Sequence, residues 1–211
     1  MRKSVSASVM GFNADPHLEG KCNFMYLDRL GLVTTGIGNL ADPFPLAQWL
    51  PWRKKDGSLA MVNEVRSCWE YVKRKAPLDP KAGGVQYGKL PSNNLRLTDN
   101  DISVLVRKKA IEFETQLKKF VKNWDSLPAD AQLGLLSVAW AAGAGDFDKH
   151  WPKLCGAVNR MDFRAAASES SIKDNKNRTM VNGILFNNAA RVVAEGLDPE
   201  VLLYVSPWKS A

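Results

Sequence analysis

The sequence predicts an α+β fold, with one small β-hairpin near the N-terminus and helices in most of the remaining chain. Residues 24–37 have the composition of a strand, a tight turn and a second strand. Thr98 and the acidic residues after it form a helix N-cap pattern, and the apolar stripe over residues 102–121 indicates a long helix. Residues 129–142 are apolar on nearly every face, which is typical of a buried central helix.

The hairpin has a recognisable turn between its two strands. Residues 24–27 favour an extended strand, and residues 32–37 form a second run rich in β-branched side chains. Residues 28–31 suit a four-residue turn that begins with Asp and ends with Gly. Because side chains alternate along a strand, Thr34 can face a cleft while Val33 packs against the core.

Two carboxyl groups frame this hairpin. Glu19 precedes the first strand, Asp28 opens the turn, and Thr34 lies on the second strand. Two acids on a rigid turn suggest cleavage of a bond by acid and base chemistry. Either residue alone would be ordinary turn or helix-end chemistry. The combination with Thr34 and the following Gly-Ile-Gly favours a catalytic site.

The pattern Glu-x8-Asp-x5-Thr, followed at once by Thr-Gly-Ile-Gly, resembles the phage-type lysozymes, glycoside hydrolase family 24. The same window contains a Glu-Gly pair, a Tyr-Leu-Asp approach to the turn, and Gly31 three residues after the Asp. The resemblance implies an α+β lysozyme-like fold in which a small β-hairpin lobe is joined by a long helix to a mainly helical lobe.

The resemblance also implies a domain organisation. Residues 1–211 would form a single lysozyme-like domain, with a β-rich lobe at about 15–97 and a helical lobe at about 98–211. Residues 41–97 exceed the matching region of the smallest family members, so an insertion is expected there.

Catalytic roles follow from the same resemblance. Glu19 would be the general acid, kept protonated by partial burial, and Asp28 on the wetter turn would stay ionised. Thr34 would help Asp28 to hold the attacking water. An inverting enzyme needs roughly 6.5–9.5 Å between its two carboxyl groups, and a retaining one about 5–5.5 Å. We expect the wider separation.

Three further residues are implied as substrate-binding by the resemblance: Leu40, Trp140 and Arg178. Trp140 occupies an aromatic position that contacts substrate in relatives, although the polar residue that commonly follows it is here Ala141. Arg178 would pack beside the catalytic Glu, and the alternative is an Arg at a helix start that faces water. Metal ions and cofactors are not expected.

The approach to Glu19 departs from the family pattern. Asp15-Pro16-His17 interrupts the helix that usually precedes the Glu, since Pro is tolerated only in the first turn of a helix. We expect Asp15 to cap a short helical turn that ends near Glu19.

After the hairpin, the sequence of residues 42–57 predicts a loop, in which Trp49 and Trp52 flank a proline. These rings can line a glycan site, or they can anchor the loop to the core. Ser58 is expected to cap a helix that runs to about Arg74, and residues 76–97 are expected to be a connector.

The charge balance indicates a preference for polyanions, because 29 basic residues against 22 acidic ones give a net charge of +7. Anionic wall polymers and nucleic acid would both suit this charge. The basic residues are scattered in short runs without a helix-turn-helix, RNA-recognition or zinc-finger signature. Bacterial peptidoglycan is therefore the expected partner, nucleic acid is not, and the chain is expected to act as a monomer.

The cysteines and the hydropathy of the chain indicate the cellular compartment in which the protein is made. Cys22, Cys68 and Cys155 have no metal-binding spacing and cannot all pair, so buried thiols in a reducing compartment are expected. No stretch approaches 18 apolar residues, and the N-terminus lacks the apolar core of a signal peptide. We expect synthesis in the host cytoplasm, no transmembrane segment, and action on the cell wall after release or delivery.

The expected function is that of an N-acetylmuramidase, which hydrolyses the β-1,4 bond between N-acetylmuramic acid and N-acetylglucosamine and so lyses the bacterial wall. A lytic transglycosylase is the enzymatic alternative, but it does not need the water-holding pair of Asp28 and Thr34. A basic nucleic-acid-binding or glycan-binding protein is the alternative from another class. A phage endolysin, a virion muramidase and an antibacterial effector would all carry these residues.

Overall fold

The computed structural model describes residues 1–28, 30–74 and 92–208, and most of the expected connector at 76–97 lies outside these ranges. Within them the chain forms nine α-helices and one antiparallel sheet of three strands, so the α+β class is confirmed. The strands are β1 (Cys22–Leu27), β2 (Val33–Gly36) and β3 (Asn39–Leu40). The helices are α1 (Lys3–Asn13), α2 (Phe44–Gln48), α3 (Val62–Lys73), α4 (Asp99–Leu117), α5 (Ala129–Ala142), α6 (Phe147–His150), α7 (Pro152–Asn159), α8 (Phe163–Glu169) and α9 (Lys176–Ala194).

The chain divides into two compact units. The hairpin unit comprises Ala14–Val106, and the helical unit comprises Met1–Asn13 together with Arg107–Ala211. The boundary falls inside α4, so one continuous helix contributes to both units. No helix in the described ranges is both long and apolar enough to cross a bilayer.

The sheet of the hairpin unit has the order β1-β2-β3, and the pairing of β1 with β2 shifts register between Cys22 and Tyr26. Two carbonyls within this irregular stretch accept hydrogen bonds from outside the sheet: that of Asn23 accepts from the Leu97 amide at 2.8 Å, and that of Met25 accepts from Asn93 Nδ2 at 2.8 Å. The buried Asn93 side chain therefore supplies a partner that the strand pairing leaves out.

The segment between the sheet and α4 differs from expectation in two places. A short helix, α2, lies within the predicted loop. Helix α3 begins at Val62 rather than after Ser58, because the Asp56 carboxylate accepts hydrogen bonds from both the amide and the hydroxyl of Ser58. Ser58 thus belongs to a turn. The Glu64 carboxylate, which accepts from the Met61 amide at 2.7 Å, caps α3 instead.

Helix α4 begins as predicted and ends sooner than predicted. The Thr98 hydroxyl accepts from the Asp101 amide at 3.1 Å, and the Asp101 carboxylate accepts from the Thr98 amide at 2.9 Å. The helix stops at Leu117 because Asn159 of α7 bonds to the Phe120 carbonyl and the Lys122 amide. A tertiary contact thus replaces the next helical turn.

Helix α5 is the buried centre of the helical unit, as predicted. Every residue from position 129 to 140 is buried, and the helix packs against α9 and α1. It ends at Gly143, whose φ of 84° lies in the left-handed region that favours glycine. The chain after α9 also reaches α5, since the Leu203 amide donates to Asp130 Oδ2 at 2.8 Å.

Candidate active site

Asp28 is the first residue of the turn between β1 and β2. The Gly31 amide donates to the Asp28 carbonyl at 3.0 Å, which confirms the predicted four-residue turn, and Gly31 has a φ of 72°. Asp28 Oδ1 accepts from the amides of Leu30 and Leu32 at 2.8 and 2.9 Å. These two bonds fix the orientation of the half-buried carboxylate on the turn.

Thr34 is joined to Asp28 through the backbone of Leu32. The Thr34 hydroxyl donates to the Leu32 carbonyl at 3.3 Å, and the same carbonyl accepts from the Asp28 amide at 2.9 Å. The Leu32 amide is one of the two donors to the Asp28 carboxylate. The backbone of Leu32 therefore bonds to both the Asp28 carboxylate and the Thr34 hydroxyl, and it fixes their positions relative to each other.

Thr34 is also the middle member of a row across the sheet. It pairs with Tyr26 on one side and with Leu40 on the other, and directly opposed residues share a face. All four residues of β2 are buried, and Thr34 is only 5% exposed. Thr34 and Val33 are therefore both buried, and the alternation of side chains along the strand does not make Thr34 the more exposed of the two. Leu40, at the end of the row, is exposed.

Glu19 lies half-buried at the end of the short turn that precedes β1. Asp15 Oδ1 accepts from the His17 amide at 3.0 Å, and the Asp15 carbonyl accepts from the amides of Leu18 and Gly20 at 2.9 and 3.1 Å. The predicted turn capped by Asp15 is therefore confirmed.

Tyr26 connects the two carboxyl groups electrostatically. Burial raises the pKa of the Tyr26 phenol far above its ordinary value; the Cys22 thiolate, which forms only at alkaline pH, and the negative charges of Glu19 and Asp28 raise it further. Both carboxyl groups therefore lie within electrostatic reach of one phenol, which stays neutral and can donate or accept a hydrogen bond. In the sequence Tyr26 was noted only as part of the Tyr-Leu-Asp motif and was not predicted as a site residue. Its position two residues before Asp28 was the signal that could have identified it.

The loop tryptophans have different surroundings. Trp52 is 1% exposed and its indole donates to the Ala47 carbonyl at 2.9 Å, so it anchors the loop to the core. Trp49 is 82% exposed. Of these two rings, Trp49 is the one that a sugar can stack on.

In the helical unit, Trp140 is almost fully covered. Its ring packs edge-to-face against Phe113 at a centroid distance of 5.7 Å, and Lys109 Nζ lies 4.4 Å from its centroid. Most of the ring is therefore occupied by its own unit, and the expected substrate contact of Trp140 stays a prediction.

Arg178 is fully buried, so it is not the solvent-facing helix residue that was the alternative. Its guanidinium donates to Ser137 Oγ at 3.1 Å and to Asn13 Oδ1 at 2.9 Å, and it lies 5.7 Å from the ring centroid of Phe12. Arg178 ties α9 to α5 and α1 within the helical unit. Its expected role beside Glu19 stays a prediction.

The three cysteines are free thiols. Burial raises the pKa of Cys22 and Cys68, and burial followed by the charge of Asp148 raises the pKa of Cys155 to about 11. All three are therefore protonated and unreactive near neutral pH. In the parts of the chain that the structure describes, no three or more His, Cys, Asp or Glu side chains cluster as metal ligands would.

Four side chains of the hairpin unit thus form the candidate site: Glu19, Tyr26, Asp28 and Thr34. Two carboxyl groups near a neutral phenol, with one of them held by backbone amides and joined to a threonine hydroxyl, can carry out acid and base chemistry. No protein-family model matches the chain, and no curated protein does.

Proposed function

We propose that the protein is a peptidoglycan hydrolase of lysozyme-like fold, an N-acetylmuramidase that cleaves the β-1,4 bond between N-acetylmuramic acid and N-acetylglucosamine. The observation that carries the proposal is the link through Leu32, which joins the Asp28 carboxylate to the Thr34 hydroxyl. A base and a second oxygen in a fixed relation are what an enzyme needs to hold one water molecule.

In this mechanism Asp28 is the general base. Both turn amides bind Oδ1, so Oδ2 is the oxygen best placed to take a proton from water. The Thr34 hydroxyl gives its hydrogen to the Leu32 carbonyl, which leaves an oxygen lone pair to accept the other hydrogen of that water. The water oxygen then attacks the anomeric carbon from the face opposite the leaving group.

Glu19 is the general acid. It donates its proton to the glycosidic oxygen as the bond to the anomeric carbon breaks, and the proton taken by Asp28 later returns to Glu19 through solvent. The neutral Tyr26 phenol contributes a hydrogen-bonding group without adding charge between the two carboxyl groups. The anomeric configuration is inverted because water enters opposite the departing sugar.

The exposed apolar side chains of Leu40 and Trp49 provide surface for the glycan in the hairpin unit. A net charge of +7 raises the encounter rate with anionic wall polymers at low ionic strength. We infer that the protein acts as a monomer on the wall after release or delivery.

The test is clearing of purified peptidoglycan by the wild type, Glu19→Gln and Asp28→Asn. Loss of either carboxyl group should lower the rate by about 10²-fold or more, the usual scale of general acid or base catalysis. Asp56→Asn is the matched control, because Asp56 also accepts the amide of the residue two positions on, in an exposed turn of the same unit. Its rate should equal that of the wild type.

Mass spectrometry of the digest identifies the reaction. New reducing ends support hydrolysis, whereas 1,6-anhydro products would indicate a lytic transglycosylase and remove the role of the attacking water. Inert behaviour on peptidoglycan together with salt-sensitive DNA binding in a gel shift would replace the enzyme by a nucleic-acid-binding protein.

A further inference from the structure

Helix α3, which lies in the expected insertion, contacts the catalytic turn directly. Lys73 is the last residue of α3, and its Nζ donates to the Gly31 carbonyl at 2.9 Å. Gly31 is also the residue whose amide closes the turn onto the Asp28 carbonyl. One ammonium group therefore holds the end of the turn that carries Asp28.

The same ammonium group is paired with Asp42, which holds the neighbouring strand. Lys73 Nζ donates to Asp42 Oδ2 at 2.7 Å, and that oxygen also accepts from the Val33 amide at 3.0 Å. Val33 immediately precedes Thr34. The two charges thus connect the helix to the backbone on both sides of Leu32, the residue that joins Asp28 to Thr34.

The C-terminal end of α3 is held in place by contacts of Trp69, so it can support the Asp28 turn. Trp69 lies one turn before Lys73 on the same face, and its indole donates to the Ala41 carbonyl at 2.8 Å. The Trp69 ring also packs edge-to-face against Phe44 at a centroid distance of 5.9 Å. Charge-assisted hydrogen bonds of this length are about twice as strong as neutral ones.

We propose that Lys73 and Asp42 are a positioning pair for the catalytic base: they hold the Asp28 turn and the Thr34 strand in the relation that places the attacking water. This inference rests on the proposed function. Neither residue touches substrate. Without the pair the turn would lose its attachment to α3, its own hydrogen bonds would open more often, and a small displacement of the base would slow the reaction.

The test compares Lys73→Met, Lys73→Arg and Asp42→Asn with the wild type on soluble peptidoglycan fragments. Lys73→Met removes the charge and keeps the length of the side chain, and it should lower kcat at least about tenfold while KM stays within about twofold. Lys73→Arg should restore most of the loss. Asp42→Asn keeps an acceptor for the Val33 amide, so it removes the ion pair alone and should lower kcat similarly.

The matched control is Lys54→Met. Lys54 pairs with Glu64 at the other end of α3, at 3.7 Å, and it is 36% exposed compared with 34% for Lys73. It changes the net charge equally and should leave kcat unchanged. The double variant of Lys73→Met with Asp42→Asn should lose no more than the worse single variant, because each single variant already removes the Lys73–Asp42 ion pair.

Hydrogen exchange of the Leu32 amide gives a readout that does not require activity. Since this amide is bound to Asp28, its exchange should accelerate about tenfold or more in Lys73→Met and not in Lys54→Met. A folded Lys73→Met with wild-type kcat, or with a loss confined to KM, would overturn the inference. If Lys73→Met does not fold, the test uses Asp42→Asn. A folded Asp42→Asn with wild-type kcat, or with a loss confined to KM, would overturn the inference. An inactive wild type would remove the proposed function, and the exchange rate would still show whether the pair holds the turn.

Discussion

Replacing Asp130 with alanine should loosen the C-terminal segment of the helical unit. Asp130 is fully buried near the start of α5, and its carboxylate accepts from Asn188 Nδ2 at 3.0 Å and from the Leu203 amide at 2.8 Å. A donor left without a partner costs up to about 1–3 kcal/mol; both donors belong to half-buried residues, and removal of a buried charge offsets part of the total. We expect the free energy of unfolding to fall by about 2–4 kcal/mol, measured by urea titration with tryptophan fluorescence.

The pH dependence of this stability has a defined sign. Burial raises the pKa of Asp130, and hydrogen bonds from Leu203 and Asn188 oppose the rise only in part. The folded protein therefore binds this proton more tightly than the unfolded chain, so the contribution to stability is full below the unfolded pKa and is lost as pH rises through the folded pKa. The stability advantage of the wild type over Asp130→Asn should shrink as pH rises from the ordinary Asp pKa of about 4 through the raised pKa of the folded protein. A difference that widens over this interval, or an Asp130→Ala variant as stable as the wild type, would refute the reasoning.

Three further outcomes are expected in the hairpin unit. Under the proposed function, Thr34→Val should lower the hydrolytic rate at least about tenfold with the fold intact, since it removes the hydroxyl proposed to orient water, and Thr34→Ser should retain most activity. Absorbance at 295 nm should show no ionisation of Tyr26 up to about pH 11, identified by difference from Tyr26→Phe, because burial and nearby charges raise its pKa; ionisation near the ordinary value would contradict this. Asn93→Leu should lower the free energy of unfolding by about 1–3 kcal/mol, because it leaves the Met25 carbonyl without its side-chain donor; an unchanged thermal transition would count against it.

Local signals in the sequence were sufficient for several parts of the hairpin unit. The turn at residues 28–31, the capped turn at Asp15 and the N-cap at Thr98 each depend on residues within five positions of one another. The composition of residues 129–142 was equally informative, since a helix without a polar face can only be buried.

The contacts that hold the candidate site in place could not be predicted from local sequence. Lys73 and Asp42 lie 31 positions apart, and their pairing depends on how α3 packs against the hairpin. The early end of α4 likewise depends on Asn159, which is distant in sequence. Trp49 and Trp52 lie on either side of Pro51, and only tertiary packing decides which ring is covered.

The link between the proposed base and Thr34 uses only main-chain atoms of Leu32, its N–H and its C=O. Every amino acid except proline offers the same two atoms, so an alanine scan would score position 32 as tolerant. Proline keeps the C=O but lacks the N–H, so it would remove the Leu32 donor to the Asp28 carboxylate without changing Asp28 or Thr34. Under the proposed function, position 32 contributes through its backbone, and substitutions other than proline would not reveal that contribution.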